Sequence, residues 1–371
     1  MHVLVIGGAG FIGSHTVDCL LAHGHTVRVL DALVPQVHGT IPQRPVYLDS
    51  RAELVVGRVE DADMVAQALD GVESVIHLAA AVGVGQSMYQ VMQYCTTNTL
   101  GTAALLQTLI DRKTSLHSLV VASSMSVYGE GLYRTRDGRY VAPQLRSEAQ
   151  MAAGDWEVHD SDSIPLEPVP TPEDKPLRPT SIYAINKRDQ EEMCLCIGTA
   201  YGISTTALRF FNVYGSRQAL ANPYTGVAAI FCARLLNDRP PLVFEDGKQQ
   251  RDFVHVDDVA RAVVAAAEQP AAGEAINIGS GEALSVHDIA ESLALALDKD
   301  IAPQIVGKYR RGDIRHCFAD ISKARRLLQW EPQRAFHQGV TELVAWVQAQ
   351  CDTCDSVGSA WNELQRKGLL L

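Results

Sequence analysis

Apolar residues come in short runs through the first half of the chain, with longer amphipathic stretches between them. The runs at 2–6, 26–30, 53–56, 74–77, 118–122 and 204–211 predict strands. The stretches at 12–22, 62–69, 91–111 and 183–201 repeat apolar positions at helical spacing and predict helices. Strand alternating with helix is the pattern of an α/β fold, a Rossmann-type doubly wound parallel sheet. A further apolar segment at 252–256 leads into a helix at 257–268. Past about residue 212 the alternation loosens into a loop and helix over 221–237, helices over 284–297, 322–328 and 336–350, and an uncapped tail. That half reads as a smaller, mostly helical second lobe.

Residues 130–175 break the pattern. They are rich in Pro, Asp and Glu, weakly periodic, and too long for an ordinary connection. Two readings stay open, a surface excursion or a lid over a cleft.

Charge narrows the partners. With 32 Lys and Arg against 43 Asp and Glu, the net charge is −11 and there is no long basic run. Nucleic acid and anionic membrane are therefore not expected partners. An anionic ligand would have to be held by local arginines and helix N-termini. There is no apolar run of about 18 residues to span a membrane, and the chain opens directly on a strand, which argues against a signal peptide. The eight cysteines are scattered. Cys351 and Cys354 form a lone C-x-x-C with no preceding strand, so free thiols are expected there, with no metal, in a cytoplasmic protein.

Candidate chemistry begins at Gly7-Gly-Ala-Gly10-Phe11-Ile12-Gly13, which follows a strand and opens a helix. A turn without side chains lets backbone and helix N-terminus meet a pyrophosphate. Asp31 ends the next strand, where a carboxylate can accept from ribose hydroxyls and repel a 2′-phosphate, favouring NAD over NADP. His77-Leu78-Ala79-Ala80 puts small residues at a strand end, allowing close passage of a cofactor. Ser123, Ser124 and Ser126 lie just past another strand, on the side where open sheets bind ligands. Tyr183 and Lys187, at i and i+4, share a helix face. A neighbouring ammonium and an oxidised nicotinamide would favour the phenolate and make Tyr183 a usable base.

Taken in order, GGAGFIG, Asp31, Ser124 and Tyr183-Ala-Ile-Asn-Lys187 resemble the extended short-chain dehydrogenase/reductase family, in its NAD-dependent nucleotide-sugar epimerase/dehydratase branch, over residues 1 to about 335. The resemblance implies Tyr183 as base, Lys187 as its partner and nicotinamide-ribose ligand, and Ser124 as the hydroxyl that positions the substrate alcohol. It implies NAD contacts from the glycine turn, Asp31, Val59, Leu78, Ala79, Ala80 and Asn98. For a nucleotide-diphosphate sugar it implies Ser126, Asn212, Val227, Arg251, Arg310, Asp313 and Cys317, with the two arginines on the diphosphate and Cys317 as a small gatekeeper. Dehydratases of the family carry Asp-Glu after the serine position and decarboxylases a Glu; here Met125 and Ser126 offer no carboxylate, which points to 4-epimerisation through a 4-keto sugar. The insert and the segments 172–183 and 217–226 look most like those of bacterial dTDP-L-rhamnose 4-epimerases. A UDP-glucose or UDP-GlcNAc 4-epimerase, a 4-keto-sugar reductase and a non-catalytic NAD-binding scaffold are the alternatives. One departure stands out: Arg58 replaces the usual adenine-accepting Asp, leaving the backbone at Val59 or Asp61 to read adenine. The expected division is 1–180 for the NAD domain, with 204–212 and 252–268 returning to it, and 181–371 for the substrate domain. A homodimer through the helices near 91–111 and 183–201 is also implied.

Overall fold

The structure, a computed structural model, describes residues 1–40, 43–219, 226–350, 363 and 365–370. Cys351 and Cys354 lie outside them. Seven strands form one parallel sheet: β1 (His2–Ile6), β2 (Thr26–Asp31), β3 (Glu53–Val56), β4 (Ser74–His77), β5 (Ser118–Ser124), β6 (Thr205–Phe210) and β7 (Glu274–Ile278). Their order is β7-β6-β5-β4-β1-β2-β3. The winding reverses between β1 and β4, and a crevice opens there at the strand C-termini.

The residues of β1 show why the sheet is covered twice. Val3 and Val5 pack into a core with α1 (Phe11–Ala22) and α5 (Val256–Glu268) on one face. Leu4 and Ile6 point the other way, toward α2 (Gly101–Asp111) and α3 (Ile182–Tyr201). A third core joins α4 (Val227–Leu236), α6 (Val286–Ala296) and α7 (Phe336–Ala349) through Phe231, Leu293 and Leu343. This is the helical second lobe.

Three local features depart from the sequence pattern. β7 is missed because its short run contains Asn277, which is buried and bonded to the Tyr128 hydroxyl at 2.6 Å. The helix expected over 91–111 is continuous, but Cys95–Leu100 is wound as a π-helix. The segment expected at 252–256 forms a strand, Phe253–His255, that pairs with Asn212–Tyr214 outside the main sheet.

The insert is folded, with strands Leu132–Arg134, Tyr140–Val141 and Glu167–Val169 and a short helix, Glu148–Ala152. Buried ion pairs pin it down. Arg146 pairs with Glu245 at 2.9 Å, while the fully buried Arg315 reaches Glu157 at 2.6 Å and Glu245 at 2.9 Å. None of residues 130–175 lines the main cleft. In this conformation the insert is an anchored excursion.

Candidate active site

The cleft at the sheet's switch point has a volume of about 490 Å³. Its floor is the glycine turn. Gly7 has φ +83, and a Cβ there would meet the Ala79 nitrogen at 2.7 Å; a Cβ on Gly13 would lie 2.1 Å from the Gly7 carbonyl. The first turn of α1 carries no side-chain cap and no acid. Its N–H groups and positive dipole end are left for an anion. Gly7, Gly10, Phe11, Ile12 and Gly13 all line the cleft, as do Asp31, Val59, Leu78, Ala79 and Ala80.

Asp31 is held by two backbone donors, Ala9 N–H at 3.0 Å and Leu33 N–H at 2.9 Å. That fixes its carboxylate at the end of β2. Asn98 corrects an expectation. It lies in the π-helix, fully buried and outside the cleft lining. Its amide accepts from Ala81 N–H at 2.7 Å and donates to the Ala81 carbonyl at 3.0 Å. Asn98 thus clamps the strand-end loop that forms the wall, and acts on a cofactor only through that loop. Asp61 caps the helix Ala62–Ala68, its Oδ1 accepting from Asp63 and Met64, and it does not line the cleft. Arg58 lines the cleft, paired with Glu60 at 2.7 Å.

At the opposite end Ser124 closes β5, and its Oγ accepts from Ser126 Oγ at 2.9 Å. Ser181 caps α3 through the Ala184 N–H at 3.1 Å, placing Tyr183 and Lys187 on the first turns facing Ser124. Burial dominates both groups. The Tyr183 phenol is pushed up to about 12, with a hydrogen bond from Ser124 pulling the other way. Burial brings the Lys187 amine down to about 7, and Lys187 donates to the Ala122 carbonyl at 2.9 Å. The expectation joined the lysine to an oxidised nicotinamide; in the protein alone desolvation dominates and the phenol stays protonated. A cationic ligand beside the phenol is needed to reverse the sign.

Ser126, Asn212 and Val227 share this cleft, whereas Arg251, Arg310, Asp313 and Cys317 do not line it. Arg251 donates to the carbonyls of Gln250, Ile314 and Arg315, and Arg310 pairs with Asp313 at 3.0 Å. Cys317, expected as a gatekeeper, is buried in a cluster with Tyr128 and Phe211. Sequence reasoning missed Gln218. Gln218 and Ser123 are both buried in the cleft lining, and Gln218 Oε1 and Ser123 Oγ have no hydrogen-bond partner among the described residues. Such orphaned polar atoms suit a polar ligand.

Residues 3–279 match the family model described as Epimerase: NAD dependent epimerase/dehydratase family. The chain belongs to this family. It is an NAD-dependent isomerase of the extended short-chain dehydrogenase/reductase type, and the glycine turn, the open α1 terminus and Asp31 fit that cofactor. Among curated family members, dTDP-L-rhamnose 4-epimerase of Burkholderia thailandensis is 38% identical over 94% of this chain and 96% of its own length. A putative UDP-glucose 4-epimerase of Methanocaldococcus jannaschii is 32% identical over 93% and 98%. Among solved structures, the UDP-glucose 4-epimerase of Thermotoga maritima with UDP-glucose has a TM-score of 0.76 at 31% identity, covering 94% of this chain and 99% of its own. UDP-glucuronic acid 4-epimerase of Bacillus cereus, in complex with UDP-glucuronic acid and NAD, has a TM-score of 0.75 at 30% identity, with the same coverage. Among the described residues no helix is long and apolar enough to cross a membrane.

Proposed function

We propose that this epimerase family member inverts C4 of a nucleotide-diphosphate hexose, with dTDP-L-rhamnose the favoured substrate. The observation that carries the chemistry is the distribution of acids. Among the described residues Asp31 and Glu60, at the β2 and β3 side, are the only carboxylates in the cleft lining, and Met125 and Ser126 follow Ser124. The dehydratases and decarboxylases that the sequence resemblance brings in carry a carboxylate just after the serine position, and this chain has none there. NAD supplies reversible hydride acceptance at the sugar carbon. Tyr183 Oη takes the 4-hydroxyl proton and later returns it, and Ser124 Oγ orients that hydroxyl. Lys187 lies one turn from Tyr183, placed to favour the phenolate when it is charged. Inversion requires the 4-keto sugar to turn in the cleft and present its other face before the hydride returns. Asn212 and Val227 are the sugar-side contacts. Arg251, Arg310 and Asp313 take the diphosphate and nucleotide ribose, which requires Arg251 to exchange a carbonyl for phosphate.

The preference for a dTDP sugar rests on the 38% identity to the Burkholderia enzyme across both full chains. A homodimer is supported by the exposed apolar side chains of Met92, Leu100 and Ile185 on the 91–100 segment and α3, two elements that pack together. The test is purified enzyme with dTDP-, UDP- and GDP-hexoses and no added cofactor, read by product separation. Interconversion of dTDP-L-rhamnose faster than of the UDP sugars is expected. Product appearing only with stoichiometric NADH would make it a reductase, and no reaction with any sugar would leave a non-catalytic NAD binder.

A further inference from the structure

The end of the sheet opposite the cleft carries a second set of converging ligands. α1 ends at Ala22 with His23 as its C-cap, Gly24 turns the chain with φ +81, and His25 leads into β2. α5 ends at Glu268. His23 Nδ1 and His25 Nε2 meet the same Glu268 oxygen, at 2.9 and 2.8 Å. The three ligand atoms lie within 4.8 Å of one another.

We propose that His23, His25 and Glu268 bind a divalent first-row transition ion with zinc's preference for imidazole and carboxylate. Ligand choice is the first reason, because two imidazoles and one carboxylate match a three-ligand zinc set with an open fourth position. The half-exposed His23 leaves that position to water. The second reason is the field. Two helix C-termini converge here, and neither has a basic residue in its last turn, so both dipoles favour a cation. The third is geometry. Ligands about 2.05 Å from a tetrahedral ion stand roughly 3.3 Å apart, so the two nitrogen–oxygen separations have to open by about 0.5 Å. Outer contacts hold the set: His117 Nε2 lies 3.1 Å from the Glu268 carbonyl, and His25 Nδ1 lies 3.2 Å from the Met1 nitrogen. Binding at Nε2 leaves the ring proton on Nδ1, facing that nitrogen.

The test uses tag-free enzyme with its cofactor, dialysed against zinc at neutral pH and analysed for metal. One ion per chain is expected. His23→Ala and Glu268→Gln should each weaken binding at least about ten-fold, as loss of a ligand does. His287→Ala, in an exposed cluster with Asp288 and Glu291, should not. Zinc at a hundred times its Kd should raise Tm by about 3–4 °C in the parent and not in His23→Ala. His23 is half exposed and outside the catalytic machinery, so His23→Ala keeps its fold and turnover. No stoichiometric zinc in the parent, or equal losses in His23→Ala and His287→Ala, overturns the site and leaves two histidines merely paired with a glutamate.

Discussion

Replacing Lys187 by methionine should make the cofactor-free protein more stable at low pH and no more stable at high pH. Burial brings the Lys187 amine from its ordinary 10.5 to about 7. A lysine with a folded pKa below its unfolded one destabilises the fold, because folding penalises its charged form. The penalty is complete below pH 7 and fades as pH rises toward 10.5. At 1.36 kcal/mol per pH unit it is roughly 5 kcal/mol at pH 6 and roughly 2 kcal/mol at pH 9. Methionine removes it but orphans the Ala122 carbonyl that the amine now satisfies, at about 1–3 kcal/mol. The variant should therefore lead by about 2–4 kcal/mol at pH 6 and be roughly equal at pH 9. Urea midpoints of cofactor-free parent and variant at the two pH values measure this directly. A stability gap that stays the same from pH 6 to pH 9 would refute the reasoning, whatever the variant does to activity.

Tyr183→Phe should lose turnover by about 10²–10⁴-fold while keeping its NAD, checked by rate and by cofactor released on denaturation. Gly13→Ala drives a methyl to 2.1 Å from the Gly7 carbonyl, so the turn must open and NAD should no longer co-purify. Asn98→Ala breaks both bonds to Ala81; about 1–3 kcal/mol of stability should go, and NAD affinity should fall without a change in the pH profile of turnover. Ile185→Glu on the exposed face should shift sedimentation from dimer to monomer.

The sheet and the catalytic helix were legible because local signals there agree with the fold. The glycine turn sits between a strand and a helix, and Tyr183 and Lys187 are tied by helical spacing alone. Asn277 hid β7, since a buried amide inside a strand is paid for by partners distant in sequence. The π-winding at 95–100 was invisible for the same reason, its purpose being to aim Asn98 at Ala81. Electrostatics was legible only in part. That Lys187 and Tyr183 are adjacent is written in the chain, but their burial is not, and burial decides the sign of both shifts. The roles of Arg251 and Cys317 were inferred from motif alone, and their present bonding to backbone and core could not be read from it.

Ser181 caps the helix that carries both Tyr183 and Lys187, and a buried pair of Arg209 with Glu191 at 2.6 Å ties its next turns to β6. The two reactive groups therefore travel as one rigid piece with the sheet. A sugar whose two epimers differ in shape cannot be accommodated by that wall. The adjustment falls to the sugar itself and to the facing side at Asn212, Gln218 and Val227, so substitutions there should alter the ratio of forward to reverse rate constants for binding while leaving the overall equilibrium between the epimers untouched.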